Sequence, residues 1–168
     1  MYYKIVTEQF TKSLSNLLEI LEKTSKQAES KKVDFSVLLN SRLIADQFSL
    51  IRQVQIACDT AKLASARLAG KEAPFHDDKE VNLDEIRQRV ESVREYLKSF
   101  QSSDFNESAD RKITQPRWEG KYLTGEQYLL HHAIPNFYFH ITTAYAILRT
   151  NGFDIGKKDY LGEMPFKI

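Results

Sequence analysis

The stretch Tyr128-Leu-Leu-His-His-Ala-Ile-Pro-Asn-Phe-Tyr-Phe-His-Ile-Thr-Thr-Ala-Tyr-Ala-Ile-Leu-Arg149 carries three of the four histidines of the chain. Its apolar residues Leu129, Ala133, Phe137, Ile141, Ala144, Ile147 and Leu148 recur at the spacing of one helix face, so it reads as a buried helix. Thr124 with Gln127 forms a capping box that opens it, and Asn151-Gly152 closes it. Pro135 removes a backbone donor inside the helix and should kink it or split it in two. Packing alone would not need the polar groups on and beside the apolar face, namely His132, Asn136, His140 and Thr143.

Three more amphipathic helices precede it. Phe10, Leu14, Leu17, Leu18 and Leu21 mark the first, between Thr7 and about Ala28. Asp46 is a suitable cap for the second, whose stripe Leu50, Val54, Ala57, Ala61, Ala64, Leu68 ends at Gly70. That stripe narrows to alanine, which permits close approach by a neighbour. Asn82, with Glu85 at the capping-box position, starts the third, with Leu83, Ile86, Val90, Val93, Leu97 and Phe100 as its buried line. Between the third and last helices, Ile113, Tyr122 and Leu123 flank a Trp118-Glu-Gly-Lys turn, which predicts a short β-hairpin or an extended loop. Pro116 keeps any pairing there at an edge. The tail from Phe153 to Ile168 offers Phe153, Tyr160, Leu161 and Phe166 for packing back on the bundle. The expected fold is therefore all-α: one four-helix-bundle domain over 1–168, with a hairpin or loop before the last helix.

The composition excludes several classes of function. An apolar fraction of 42% with 28% charged residues is that of an ordinary globular chain. A net charge of +1, with no basic stripe, gives no reason to expect nucleic acid. No apolar run approaches the ~20 residues that span a bilayer, and no signal segment is seen, so no membrane partner is expected. The single cysteine, Cys58, fits a reducing compartment, and the expected location is the cytoplasm. Without a base nearby in sequence, Cys58 reads as a small buried hydrophobe.

Two blocks carry a resemblance. Asn40-Ser-Arg-Leu, with Asp46-Gln-Phe-Ser-Leu-Ile-Arg-Gln-Val-Gln-Ile-Ala-Cys-Asp-Thr-Ala-Lys62 and Arg67-Leu-Ala-Gly70, forms the first, and Tyr128 to Arg149 the second. Asn151-Gly152 and Ile155-Gly-Lys-Lys-Asp-Tyr-Leu-Gly162 complete it. Together they resemble a bacterial domain family of unknown function placed in the DinB/YfiT-like superfamily of inferred metalloenzymes. The resemblance implies an up-down-down-up bundle, often a homodimer. It also implies a divalent transition metal held in many members by three histidines, one on the second helix and two spaced i, i+4 on the last. Some members transfer low-molecular-weight thiols, and others act on thiol adducts.

Carried onto this chain, those three positions fall on Gln53, Asn136 and His140, so one histidine is retained. The helical wheel agrees independently: His140 lies within the apolar arc, Asn136 and Thr143 on its edge, and Gln53 beside the second helix's stripe. Amides are weak ligands for zinc, nickel or iron, so no metal is expected; one, if bound, would sit on His140 with Gln53 and Asn136. The favoured reading is a hydrogen-bonded polar network, with His132 extending it toward the helix entrance. A small polar cavity at the same place could bind an organic molecule through Gln53, His132, Asn136, His140 and Thr143. The alternative is a metal-dependent thiol transferase or hydrolase built on His140. His131, Tyr138, Thr142 and Tyr145 form a second face, read either as a homodimer interface or as a surface covered by the hairpin or tail. His76, beside Asp77-Asp78, reads as a solvated loop residue.

Overall fold

The computed structural model describes residues 1–167, so the last expected tail residue, Ile168, lies outside the described residues. Among the described residues seven α-helices follow one another: α1 Phe10–Ser30, α2 Phe35–Leu39, α3 Leu50–Ala69, α4 Leu83–Lys98, α5 Gly125–Tyr128, α6 Ile134–Thr150 and α7 Lys157–Leu161. The described residues form an all-α four-helix bundle built on α1, α3, α4 and α6, and no helix among them is long and apolar enough to cross a membrane.

The helix directions follow from pairs of residues. Phe10 stacks on Phe137 and Ser13 meets Tyr138, so α1 and α6 run parallel. Gln53 meets His140 while Arg67 meets Tyr128, so α3 runs antiparallel to the last helix. Between α3 and α4 the chain returns along the side of α3, with Lys62 beside His76 and Gln55 beside Glu80. The two helices therefore start at the same end, and the topology is up-down-down-up.

The core stripes are those of the sequence pattern. Leu50, Val54, Ala57, Ala61, Ala64 and Leu68 of α3 face Phe10, Leu14 and Leu21 of α1 and Val90, Val93 and Leu97 of α4, all buried. Each large aliphatic or aromatic side chain buried in this way contributes roughly 1.5–3 kcal/mol. The alanine half of α3 admits a π-helical turn, Lys4–Gln9, close enough for Ser65 Oγ to donate to the Val6 carbonyl at 3.1 Å.

Several expectations are corrected. The cap of α3 is Ser49, not Asp46, because residues 41–49 form turns and the helix starts at Leu50. Asn82 caps α4 by accepting from the Glu85 N–H, but the Glu85 carboxylate takes the Val81 N–H instead of closing the box. The segment before the last helix is an extended loop pinned by one antiparallel bridge, Ile113 to Leu123, around a 3-10 turn at Pro116–Trp118. Phe166 is 86% exposed, whereas Phe153 and Tyr160 do pack on the bundle. His76 is no free loop residue: Lys62 Nζ donates to its Nδ1 at 2.9 Å, and its Nε2 lies 3.0 Å from Ser92 Oγ.

The segment returning along α3 is held by a ladder of charged groups centred on Arg89 of α4. Its buried guanidinium meets Asp59 at 2.8 Å, Glu80 at 3.0 Å and Asp78 at 3.0 Å. Lys62 and Arg52 complete the ladder on Asp59 and Asp78. A buried cation needs such compensation, and here the compensation comes from α3 and from the segment it clamps.

Candidate functional site

The last helix is placed at its entrance by two features. The Thr124–Gln127 capping box forms in full. Gly125 presses on the Ser108 carbonyl so closely that a Cβ there would stand 1.7 Å from its oxygen. A π-helical turn, Leu129–Ala133, then joins α5 to α6. The wider turn accommodates Pro135, which has no N–H to give and whose ring would crowd a regular α-helical turn. Pro135 thus sits in the first turn of α6, and the expected single helix is divided into α5 and α6 with the helical path continuous through the π-helical turn.

Along the α3–α6 seam, polar side chains meet in three rungs. Gln53 Oε1 stands 2.6 Å from His140 Nδ1. Asn136 Nδ2 donates to Thr60 Oγ1 at 2.8 Å, and Thr60 in turn donates to the Ile56 carbonyl at 2.7 Å. Arg67 donates to the Tyr128 hydroxyl at 3.1 Å. On α3 the rungs are seven residues apart, two helical turns, which keeps Gln53, Thr60 and Arg67 on one face. On the last helix, Tyr128, His132, Asn136 and His140 descend at four-residue spacing.

The first rung fixes a tautomer. Gln53 Nε2 donates to the Phe48 carbonyl at 3.0 Å, which turns its Oε1 toward His140. An amide oxygen only accepts, so His140 Nδ1 carries the proton and Nε2 holds the lone pair. Gln53 is fully buried and His140 nearly so. Burial, reinforced by the charge of Arg52, pushes the imidazole down to about 4, so it is neutral near pH 7.

His132 extends the line. Its ring stacks on Tyr128 at 5.3 Å and meets the edge of Trp118 at 5.5 Å. Arg117 Nη2 donates to its Nε2 at 2.7 Å. Burial and the positive charges of Arg117 and Arg67 hold His132 below the usual imidazole range. The Pro116–Trp118 turn thereby forms one end of a cleft of about 450 Å³ between α3 and the last helix. Thr60, Leu63 and Arg67 line one wall, and His132, Asn136 and His140 the other.

Of the expected site residues, His132, Asn136 and His140 line this cleft and Gln53 lies behind His140. Thr143 does not join them. It is buried beside a separate surface pocket with Leu43, Gln47 and Phe139, because it lies roughly one turn beyond His140 along α6. A wider cleft of about 640 Å³ between α1 and the tail has no histidine, and its Lys12 and Asn16 are spent on the Glu163 and Tyr160 carbonyls.

The second aromatic face is covered by the tail. Tyr160 packs edge-on to Tyr145 and shares a hydrogen bond with Thr142, while Tyr138 turns back to Ser13. His131 stays exposed. Sequence reasoning missed Thr60, Arg67 and Arg117. The heptad spacing of Gln53, Thr60 and Arg67 was a usable signal for the first two; nothing in sequence placed Arg117 against His132.

A domain-family profile described as a domain of unknown function, DUF1993, matches residues 2–161. The chain belongs to the DUF1993 family. No curated protein matches this DUF1993 chain. It is 60% identical to a DinB family member protein from Shewanella denitrificans whose crystal structure was determined at 1.83 Å resolution. The two superpose with a TM-score of 0.96 over 99% of this chain and 94% of that one.

The DinB-like fold raises the question of whether this DUF1993 site suits a transition metal. Both polar ends of Gln53 are engaged, one by His140 and one by the Phe48 carbonyl. Asn136 donates to Thr60. What remains is one imidazole lone pair and the weakly ligating amide oxygen of Asn136, and zinc, nickel or iron sites need several nitrogen, sulfur or carboxylate donors. Among the described residues, no group of three or more His, Cys, Asp or Glu side chains is placed to hold an ion. Asp59 borders the cleft, but Arg89 and Lys62 already hold its carboxylate. The residues do not fit a transition-metal centre.

Proposed function

We propose that this DUF1993 protein is a non-catalytic, ligand-binding bundle in which hydrogen bonds have replaced the metal that the DinB/YfiT-like resemblance implies for many members, and that it takes a small organic molecule in the α3–α6 cleft. The carrying observation is the Gln53–His140 bond at 2.6 Å beside an open cleft of about 450 Å³. The bond spends the Gln53 oxygen and leaves a single imidazole nitrogen, His140 Nε2, too few strong donors for a transition metal. The cleft has the size and the mixed polar and apolar lining of a small-molecule site.

The same proposal includes a cytoplasmic homodimer. With the Tyr138–Tyr145 face taken by the tail, the exposed apolar side chains Leu43, Ile44 and Phe139 support a second copy's docking nearby. Light scattering reads this directly, and a monomer at working concentration contradicts it.

The cleft is tested by a fragment screen on protein made without a histidine tag, read by NMR. Binding fragments are expected to shift the amides of Thr60, Asn136 and His140, and to lose that effect in Leu63→Trp, which fills the cleft. Silence of every fragment, or hits confined to other surfaces, overturns the reading.

A further inference from the structure

Among the described residues four arginines meet no carboxylate: Arg42 and Arg149 donate to the Gln47 and Phe153 carbonyls away from the α3–α6 cleft, whereas Arg67 and Arg117 line it. Arg52, Arg87, Arg89, Arg94 and Arg111 all meet carboxylates. Arg67 and Arg117 have no carboxylate partner among the described residues. Arg67 gives one N–H to the Tyr128 hydroxyl and lies 5.9 Å from that ring's centre. Arg117 gives one to His132 Nε2. Each guanidinium has five donors, so most of their hydrogen-bonding capacity is unspent. Both line the α3–α6 cleft.

The charge there is not cancelled locally. Asp59, the one carboxylate of the lining, is held by Arg89 and Lys62. His132 accepts from Arg117 through Nε2, so its proton sits on Nδ1, a buried atom with no hydrogen-bond partner. Arg52 borders the far end, fifteen residues and so about 22 Å along α3 from Arg67, where Asp78 neutralises it. The free positive charge is therefore confined to the end built by Arg67, Arg117, His132 and Tyr128. Leu63 and Ile56 continue from it as an apolar wall.

We infer that the Arg67–Arg117 end of this cleft binds the anionic group, carboxylate or phosphate, of a small organic molecule whose body lies along Leu63 and Ile56. This rests on the ligand-binding reading above and names the class of ligand. Planar guanidiniums offer paired N–H donors to either oxyanion, and such charge-assisted bonds are among the stronger polar contacts.

The test is an NMR titration of the full chain with inorganic phosphate and, separately, with succinate, at constant ionic strength set by sodium chloride. The chain has a single tryptophan, Trp118, whose ring lies 5.5 Å from that of His132, so one indole N–H signal reports on this end. A saturable shift of that signal with either anion is expected, and the anion that produces it identifies the class. Arg67→Gln/Arg117→Gln is expected to weaken half-saturation at least about tenfold. Arg42→Gln, on the exposed turns before α3, leaves it unchanged. Should the double variant lose its native spectrum, Arg117→Gln alone, on an exposed loop, serves in its place. No saturable shift with either anion, or equal binding by the arginine variants, overturns the inference. Neutral fragments that bind while both anions stay silent overturn only the anionic class; silence of all overturns the ligand-binding reading as well.

Discussion

Gln53 and His140, 87 residues apart in the chain, meet at 2.6 Å across the α3–α6 seam, and the Phe48 carbonyl fixes which way the amide faces. The pair behaves as one polar unit inside an apolar seam. Gln53→Leu leaves the His140 Nδ1 proton without an acceptor, and a loss of about 1–3 kcal/mol is expected. Adding His140→Leu should recover part of it, since neither partner is then stranded. Urea denaturation of both single variants and the double variant measures the coupling. Strictly additive losses would mean that the bond contributes nothing.

Acid should weaken the fold through the same ring. The folded imidazole, at about 4, lies below its ordinary value of 6.5. Between these values the unfolded chain binds the proton and the folded chain does not, so stability is complete above pH 6.5 and falls as pH drops toward 4. The integrated effect is about 3 kcal/mol. His76 and His132, also held low, add in the same direction. Urea titrations at several pH values should give a shallower slope for His140→Gln than for the wild type. Identical slopes would place the histidine in water.

Arg89 organises the long return between α3 and α4. Arg89→Met removes the cation shared by Asp59, Asp78 and Glu80 and leaves three carboxylates facing one another. A loss of about 3 kcal/mol is expected from such a broken buried cluster. Denaturation reads the loss, and hydrogen exchange should show residues 71–82 opening first. A loss confined to a few tenths of a kcal/mol would mean that the segment is held by other contacts.

How much of this was legible in sequence varied with the physical origin of each feature. Apolar periodicity placed the helix stripes and Gly70 placed a helix end, because both are local. The start of α3 was misplaced because Asp46 and Ser49 are equally good caps, and only the tertiary fold chooses between them. Gln53, Asn136 and His140 could be picked out because each lies on or beside a buried stripe. Arg89 lies beside Val90 on such a stripe as well, but a lone arginine there gives no hint that its partners arrive from a returning loop. Arg117 was invisible, since its place depends on a single bridge, Ile113 to Leu123, that folds the loop over the helix entrance.

Cys58 is expected to be inert in the native protein. It is fully buried, and that burial pushes the thiol up to about 12, so almost no thiolate exists near neutral pH. An aromatic disulfide reagent should react only as fast as the protein unfolds. Rapid stoichiometric labelling of the folded protein would expose a reactive site that the packing does not account for.

The claim that hydrogen bonds have replaced the metal is tested most directly by elemental analysis of the full chain, purified without a histidine tag and without chelators. The account predicts zinc, nickel, iron and manganese each well below one atom per chain, before and after incubation with excess metal and desalting. One tightly held atom per chain, lost in His140→Ala, would contradict it and restore the metal-dependent enzyme as the reading of this site.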